Sequence, residues 1–243
     1  MMRNTLKTAA FAGLLVAGSA SAQLITVDSV TGIWTEATPT GDIDGIDSNQ
    51  ISWGDPANSQ RSSYVFDPAD PLPSGIGIGE RFDLGIFTHN NFPIFSPFLE
   101  TAKLQVTTAL TINGTSREAI SVFDFDHWET PNNEDPCADG GALGEGINAN
   151  GCADQVTFTF NQPASESFEI DGDWYILTIA GFEINDELAD VLWTMEDAST
   201  DATLRAVITR PVPTPATLPL LGAGLLLLGL TLRRREAVDT EQS

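Results

Sequence analysis

The chain has 243 residues and a formal net charge of −23, with 34 Asp and Glu against 11 Lys and Arg. Residues 23–210 hold 31 of the acidic and six of the basic side chains, which leaves a net charge of −25 there. Such a surface repels nucleic acid and anionic lipid and favours solubility, cations or basic partners, so no nucleic-acid partner is expected.

Residues 1–22 are typical of a secretory signal peptide. Arg3 and Lys7 precede an apolar stretch, residues 9–17, and Ala20-Ser21-Ala22 offers the small residues of a cleavage site. We therefore expect signal peptidase to remove this segment and the rest of the protein to be exported.

The mature domain, residues 23–210, shows many short strand patterns separated by turns and hardly any helical periodicity. This pattern predicts an all-β fold, a single antiparallel two-sheet β-sandwich of jelly-roll-like form. The predicted strands cover residues 24–27, 31–34, 51–54, 62–66, 81–88, 103–112, 119–125, 156–160, 168–170, 174–179 and 204–208. Residues 184–196 fit either a helical turn or a strand.

The clearest alternation lies in residues 103–112, where polar residues separate inward-facing apolar ones. The apolar set is Leu104, Val106, Leu110 and Ile112. This predicts a half-buried antiparallel strand, and Asn113-Gly114 after it predicts a hairpin turn.

The return strand, residues 119–125, has apolar residues on both faces. Ile120 and Val122 follow the expected alternation, whereas Phe123 and Phe125 fall on the opposite face. We expect this strand either to be covered on both faces or to be re-phased by a bulge.

His89 ends a predicted strand and precedes a Phe-Pro loop. Its predicted role is structural: the ring bonds the loop backbone, while Thr88 and Asn91 cap the turn. A metal ligand or a general base is the alternative, but either would need partners, and the only other histidine is His127.

Two groups of carboxylates are candidates for Ca²⁺, a hard cation that prefers several oxygen ligands. The first is Asp124, Asp126 and Glu129, and the second is Asp42, Asp44 and Asp47. Neither group matches an EF-hand loop, so no firm metal site is predicted and calcium is the only cofactor considered.

Cys137 and Cys152 flank a glycine-rich, acidic loop in the exported part of the chain. In an oxidising compartment, two cysteines with this spacing predict a disulfide that constrains the loop.

Motifs for catalysis are absent from the sequence. There is no Gly-x-Ser-x-Gly, no phosphate-binding glycine-rich loop and no His-Glu-x-x-His. Pairs of carboxylates for glycoside hydrolysis carry no signal in so acidic a chain. We therefore expect a protein without catalytic activity.

The C-terminal segment has three parts: a Pro-rich linker (residues 211–217), an apolar run (218–232) and a basic tail (233–243) that begins with Arg233, Arg234 and Arg235. As a helix the apolar run would reach about 22 Å, against ~30 Å of membrane hydrocarbon. It spans a membrane only by thinning the bilayer or using flanking residues, with the arginines on the cytoplasmic side.

This tail resembles a bacterial exosortase sorting signal of the PEP-CTERM class, in the variant whose leader reads Val-Pro-Leu-Pro-Ala. The matching residues are Val212, Pro213, Thr214, Pro215 and Ala216, of which Thr214 departs from the pattern. The resemblance implies that an exosortase-like membrane transpeptidase cuts near the Pro motif and transfers the body to a surface acceptor. A plain C-terminal membrane anchor is the alternative.

Thr88, His89 and Asn91 form a Thr-His-x-Asn motif. Together with Trp34 and Ser52-Trp53-Gly54, it resembles the THxN family of exosortase-sorted proteins. The resemblance implies an interchangeable extracellular module and gives no activity to transfer.

These patterns predict a membrane-anchored precursor that ends at the cell surface or in the extracellular matrix. The mature domain is expected to be a non-catalytic structural or binding module, with exopolysaccharide or a surface glycan as its partner. A secreted glycan-active hydrolase and a calcium-stiffened adhesin are the alternatives.

Overall fold

The computed structural model describes residues 24–161 and 165–211. The predicted signal peptide, the sorting motif, the membrane segment and the basic tail lie outside this part of the chain. Among the described residues, no helix has the length and apolar character needed to cross a membrane.

The described part is all-β, apart from one short 3₁₀ turn at Gly146–Asn148. In chain order the strands are β1 (Ile25–Thr38), β2 (Gln50–Trp53), β3 (Asp55–Pro56), β4 (Ser62–Pro68), β5 (Ser74–Ile76), β6 (Arg81–Asn91), β7 (Ile94–Phe95), β8 (Thr101–Ile112), β9 (Thr115–Trp128), β10 (Asp154–Asn161), β11 (Ser165–Ile170), β12 (Asp173–Ile184), β13 (Glu187–Leu188), β14 (Val191–Thr194) and β15 (Ala198–Thr209).

Two antiparallel sheets contain nearly all of these strands. Sheet A has the order β14-β10-β9-β8-β1-β5, and sheet B has the order β11-β12-β15-β6-β4-β2, with β13 paired to β12. Strands β3 and β7 form a separate small ladder. The two sheets face each other across one core in a sandwich-like arrangement, which confirms the predicted all-β, two-sheet antiparallel class.

The predicted hairpin joins β8 and β9. Asn113 (φ 52°) and Gly114 (φ 79°) both have positive φ, as a two-residue type I′ turn requires. Every second residue of β8 from Ala102 to Ile112 is buried. The strand, its inward face and its turn are therefore confirmed.

The expectation for the return strand was wrong. Phe123 and Phe125 are fully buried, whereas Ile120 is 46% exposed. The pairing of β9 with β8 runs without a register shift, so no bulge re-phases the strand. The phenylalanines mark the inward face because two large rings bury more apolar surface than Ile120 and Val122 do.

The ambiguous segment at residues 184–196 forms strands. Asn185 and Asp186, both at positive φ, turn the chain between β12 and β13, and β14 follows. Leu192 of β14 is buried in the core, while Val191 faces outward. The strand interpretation is therefore confirmed.

Aromatic side chains from both sheets form the centre of the core. Among them are three rings from sheet A and three from sheet B, with neighbouring ring centroids 4.6–6.1 Å apart. They are Trp34, Phe125 and Phe158 from sheet A, and Tyr64, Phe87 and Phe182 from sheet B. Mutual packing of these rings holds the two sheets together.

Gly32 of β1 lies where sheet A comes closest to the ring of Phe66. A Cβ atom at position 32 would be 2.2 Å from Cδ1 of Phe66, which is fully buried on β4 of sheet B. Close approach of the two sheets therefore requires glycine at this position.

We predict that Gly32→Ala lowers the free energy of unfolding by about 1–3 kcal/mol, because a packed core cannot move the Phe66 ring without strain. Gly77→Ala is the matched control, since its Cβ would contact only the end of the Glu80 side chain, at 3.3 Å. Urea denaturation measures both variants, and equal stability of the two would contradict the prediction.

Candidate metal centre

The Thr-His-x-Asn residues lie within strand β6, and their side chains alternate between its two faces. Thr88 points outward, where Oγ1 donates to Oδ1 of Asp201 on β15 at 2.7 Å. His89 and Asn91 point inward and are fully buried. The motif therefore contributes one residue to the surface and two to the interior.

His89 contacts the opposite sheet and not the loop backbone that we expected. Its Nδ1 lies 2.9 Å from Oγ1 of Thr194 on β14 of sheet A, and its Nε2 is buried without a hydrogen-bond partner among the described residues. Burial lowers the pKa of His89 well below its usual value, and the neighbouring His127 lowers it further. The ring is therefore neutral at physiological pH.

Asn91 also bridges the sheets, in place of the expected cap on the turn. Its Nδ2 donates to the backbone oxygen of Thr194 at 3.1 Å and to Oε1 of Glu196 at 3.4 Å. His89 and Asn91 together hold Thr194 at the end of β14 and Glu196 two residues later.

The second histidine, His127 on β9, meets the first inside the sandwich. The two ring centroids are 5.3 Å apart, and Trp53 packs against both rings. Nδ1 of His127 lies 2.7 Å from the hydroxyl of Tyr64 on β4. Burial lowers the pKa of His127 to about 3, so this imidazole is neutral as well.

Three carboxylates surround this pair of histidines at one end of the sandwich. Glu129 directly follows β9, Asp154 begins β10, and Glu196 follows β14. The backbone N–H of Thr130 donates to Oδ1 of Asp154 at 2.7 Å, while Oδ2 is buried without a hydrogen-bond partner among the described residues. A completely buried aspartate therefore keeps one oxygen available.

The ligand atoms of His127, Glu129 and Asp154 all lie within 4.8 Å of one another, and Nε2 of His127 is 3.4 Å from Oε2 of Glu129. Among the described residues, no other group of three His, Cys, Asp or Glu side chains has this proximity. An imidazole and two carboxylates are a donor set that can hold a divalent metal ion.

Burial raises the pKa of both Glu129 and Asp154 well above the usual value of a carboxyl group, and repulsion from Glu129 raises that of Asp154 further, whereas the Asp154 side chain partly offsets the rise at Glu129. Glu196 adds to this repulsion, and its own pKa is raised by burial. The indole of Trp53 partly offsets the rise at Glu129, although its Nε1–H completes no hydrogen bond within the described residues. The ionised forms of these carboxyl groups are therefore disfavoured by the surrounding protein.

The Cys137–Cys152 disulfide is present, as the sequence predicted, and its loop contacts one residue of the cluster. Within the loop, Nδ2 of Asn150 donates to the backbone oxygen of Glu196 at 3.1 Å. Beside the loop, Oγ1 of Thr130 donates to the backbone oxygen of Ala153 at 3.1 Å, which joins the segments that follow β9 and precede β10. The Glu129 side chain, 9% exposed, is the closest of the three metal-ligating candidates to solvent.

The first predicted calcium group is divided between the two faces of sheet A. Asp124 and Asp126 share the outward face of β9, as their spacing predicted, whereas Glu129 belongs to the inward side with His127. The structure therefore does not bring these three carboxylates together.

The second predicted calcium group lies at the surface beside an arginine. Asp44 forms an ion pair with Arg61, which also donates to the backbone oxygen of Asp42 at 3.4 Å. The backbone N–H of Asp47 donates to the oxygen of Trp34 at 2.8 Å. A guanidinium therefore occupies the position at which a cation would be expected.

Sequence reasoning missed four members of the cluster: Tyr64, Asp154, Thr194 and Glu196. One signal was available, because His127 and Glu129 are two residues apart and so share a strand face. If the face of Phe123 and Phe125 is taken as the inward face of β9, the side chains of His127 and Glu129 also point inward.

Comparison with protein-family models and with curated proteins finds no match for this chain. The function is therefore argued from the fold, the buried cluster and the surface.

We predict that His89→Ala lowers the free energy of unfolding by about 1–3 kcal/mol, because Thr194 loses its partner and the adjacent rings lose a neighbour. The melting temperature should fall by ~2–4 °C for each kcal/mol. Thr88→Ala, on the outward face of the same motif, should change stability by less than about 0.5 kcal/mol. Thermal melts in which both variants match the wild type would contradict a structural role for His89.

Proposed function

We propose that this chain is the precursor of an exported, exosortase-sorted protein of the cell surface or extracellular matrix. Its mature part, in this proposal, is a jelly-roll-like sandwich that acts as a non-catalytic binding module for polysaccharide. Three features support the proposal: the disulfide, the outward face of sheet A and the sequence of the two termini.

The disulfide supports export. Cys137 and Cys152 are bonded across a glycine-rich loop, and such bonds persist in oxidising compartments and are rare in the cytosol. This agrees with the signal peptide predicted at residues 1–22. Export also agrees with the high negative charge, which keeps an extracellular protein soluble.

The observation that carries the binding function is a row of side chains across the outward face of sheet A. Trp128, Gln155 and Trp193 are directly opposed on β9, β10 and β14. We call these three residues the aromatic row. Opposed residues are ~4.5–5.5 Å apart, so the two indoles stand about 10 Å from each other.

The chemistry of the aromatic row suits a sugar chain. Trp128 is 49% exposed, and a flat ring of this kind stacks on the apolar C–H face of a pyranose. Asp126 and Thr157 are paired beside the row and offer oxygens for hydroxyl groups. Because the domain is strongly acidic, a neutral polysaccharide fits better than an anionic one.

A glycan-active hydrolase needs two carboxylates that face each other across a cleft. Asp124 and Asp126 instead project side by side from one strand, and Asp124 is opposed by Lys103, whose Nζ is 2.7 Å from Glu36. These contacts favour the binding module over the hydrolase. A calcium-stiffened adhesin remains an alternative form of the same surface role.

For the aromatic row, we predict that Trp128→Ala weakens binding to neutral exopolysaccharide purified from the source culture by about tenfold, or ~1.4 kcal/mol. Trp174→Ala is the matched control, because Trp174 is 53% exposed but lies on β12 of sheet B. Affinity electrophoresis in gels containing the polysaccharide measures both variants. Equal retardation of the two would remove the aromatic row from the binding site.

For sorting, we predict that replacing Pro213 and Pro215 with Ala leaves the protein uncleaved in the membrane fraction, since the transpeptidase loses its motif. Deleting residues 218–235 should release the protein instead. Mass spectrometry of the mature C-terminus measures the outcome. A double-proline variant that loses its tail normally would favour the plain membrane anchor.

A further inference from the structure

We propose that His127, Glu129 and Asp154 bind one divalent cation of the Zn²⁺ class inside the sandwich. This inference goes beyond the proposed polysaccharide binding, which concerns the opposite face of β9.

The positions of the three side chains allow one cation to contact them all. Their ligand atoms lie within 4.8 Å of one another. Zn²⁺ binds imidazole nitrogen at ~2.0–2.1 Å and carboxylate oxygen at ~2.0–2.2 Å, so small side-chain rotations bring all three atoms to a common ion. The pairing of β9 and β10 at His127 and Val156 holds the backbone beside the site.

His127 is oriented as a metal-binding histidine. Its Nδ1 is 2.7 Å from the Tyr64 hydroxyl, and its Nε2 points to the carboxylates, 3.4 Å from Oε2 of Glu129. In the tautomer that carries its proton on Nδ1, the hydroxyl accepts this hydrogen bond and Nε2 presents its lone pair to a metal. Metal-ligating histidines commonly donate their second N–H in this way, which fixes both tautomer and ring orientation.

One oxygen of the proposed carboxylate ligands also lacks a hydrogen-bond partner. Oδ2 of Asp154, a fully buried residue, has no hydrogen-bond partner among the described residues. Within that part of the chain, neither Lys nor Arg forms an ion pair with Glu129, Asp154 or Glu196. A buried carboxylate without a counter-charge is strongly destabilising.

The same protein compensates a buried carboxylate elsewhere. Glu183, whose side chain is 1% exposed, forms ion pairs with both Arg81 and Arg205. At the end of the sandwich, Glu129, Asp154 and Glu196 lie near one another, and no arginine among the described residues forms an ion pair with them. A bound divalent cation would supply there the charge that the two arginines supply to Glu183.

The ligand types indicate a cation of the Zn²⁺ class and not Ca²⁺. Calcium takes six to eight oxygen ligands, whereas imidazole suits Zn²⁺ and related first-row metals. Oε2 of Glu196, the third carboxylate at this end of the sandwich, is also buried without a hydrogen-bond partner among the described residues.

The test uses the mature protein, purified after export and stripped of metal with a chelator that is then removed. Zn²⁺ alone is added at constant ionic strength. The number of zinc ions bound per chain is then measured by elemental mass spectrometry. We expect one Zn²⁺ per chain and a melting temperature that rises with the logarithm of free Zn²⁺. Ca²⁺ at equal concentration should give a much smaller shift.

Two substitutions test which side chains bind the ion. Asp154→Asn and His127→Gln should abolish the zinc-dependent shift in melting temperature. Asp126→Asn is the matched control, because Asp126 lies on the same strand as His127 but on its outward face. This control should keep the full shift.

Stability of the metal-free proteins separates lost binding from misfolding. Asp154→Asn removes one of the clustered charges, so without metal it should melt no lower than the metal-free wild type. A wild type that binds no zinc, or an Asp154→Asn variant that keeps the shift, would overturn the site. Loss of the shift in Asp126→Asn alone would also overturn it, by moving the ion to the outer face.

Discussion

Two polar contacts across the interior organise one end of this protein. The hydroxyl of Tyr64 meets His127, and Nδ1 of His89 meets Thr194, and each contact joins sheet A to sheet B. Both lie against Trp53 and away from solvent, where a hydrogen bond is strong and an unpaired polar group is costly. The positions of two carboxylates depend on these contacts. Glu129 directly follows the strand of His127, and Glu196 lies two residues after Thr194.

Features set by neighbouring residues could be predicted from the sequence. The alternation of β8, the Asn113-Gly114 turn and the disulfide each follow from a short stretch and a local physical rule. The all-β class also follows, since it requires only the period of the apolar residues. None of these features needs knowledge of which strands become neighbours.

The buried cluster could not be predicted in the same way. Asp154 and Glu196 are two among 31 acidic residues of the mature domain, and only the pairing of β10 with β9 and β14 brings them beside Glu129. The sequence of β9 has apolar residues on both faces, and only the two phenylalanines, which bury more surface than Ile120 and Val122, mark the inward one. His127 and Glu129 share that face, whereas the predicted calcium group joins Glu129 to two outward-facing aspartates only because they are close in the sequence.

Successive side chains of β9 point to opposite faces of sheet A, so that two different chemistries lie one residue apart along the strand. Phe123, Phe125 and His127 face the core, while Asp124, Asp126 and Trp128 face solvent. Substitutions can therefore change one face of the strand and leave the other intact. An insertion or deletion of one residue would exchange the faces and place aspartates in the core. During evolution the outward residues of this strand can thus change without disturbing the core, but the length of the strand is constrained.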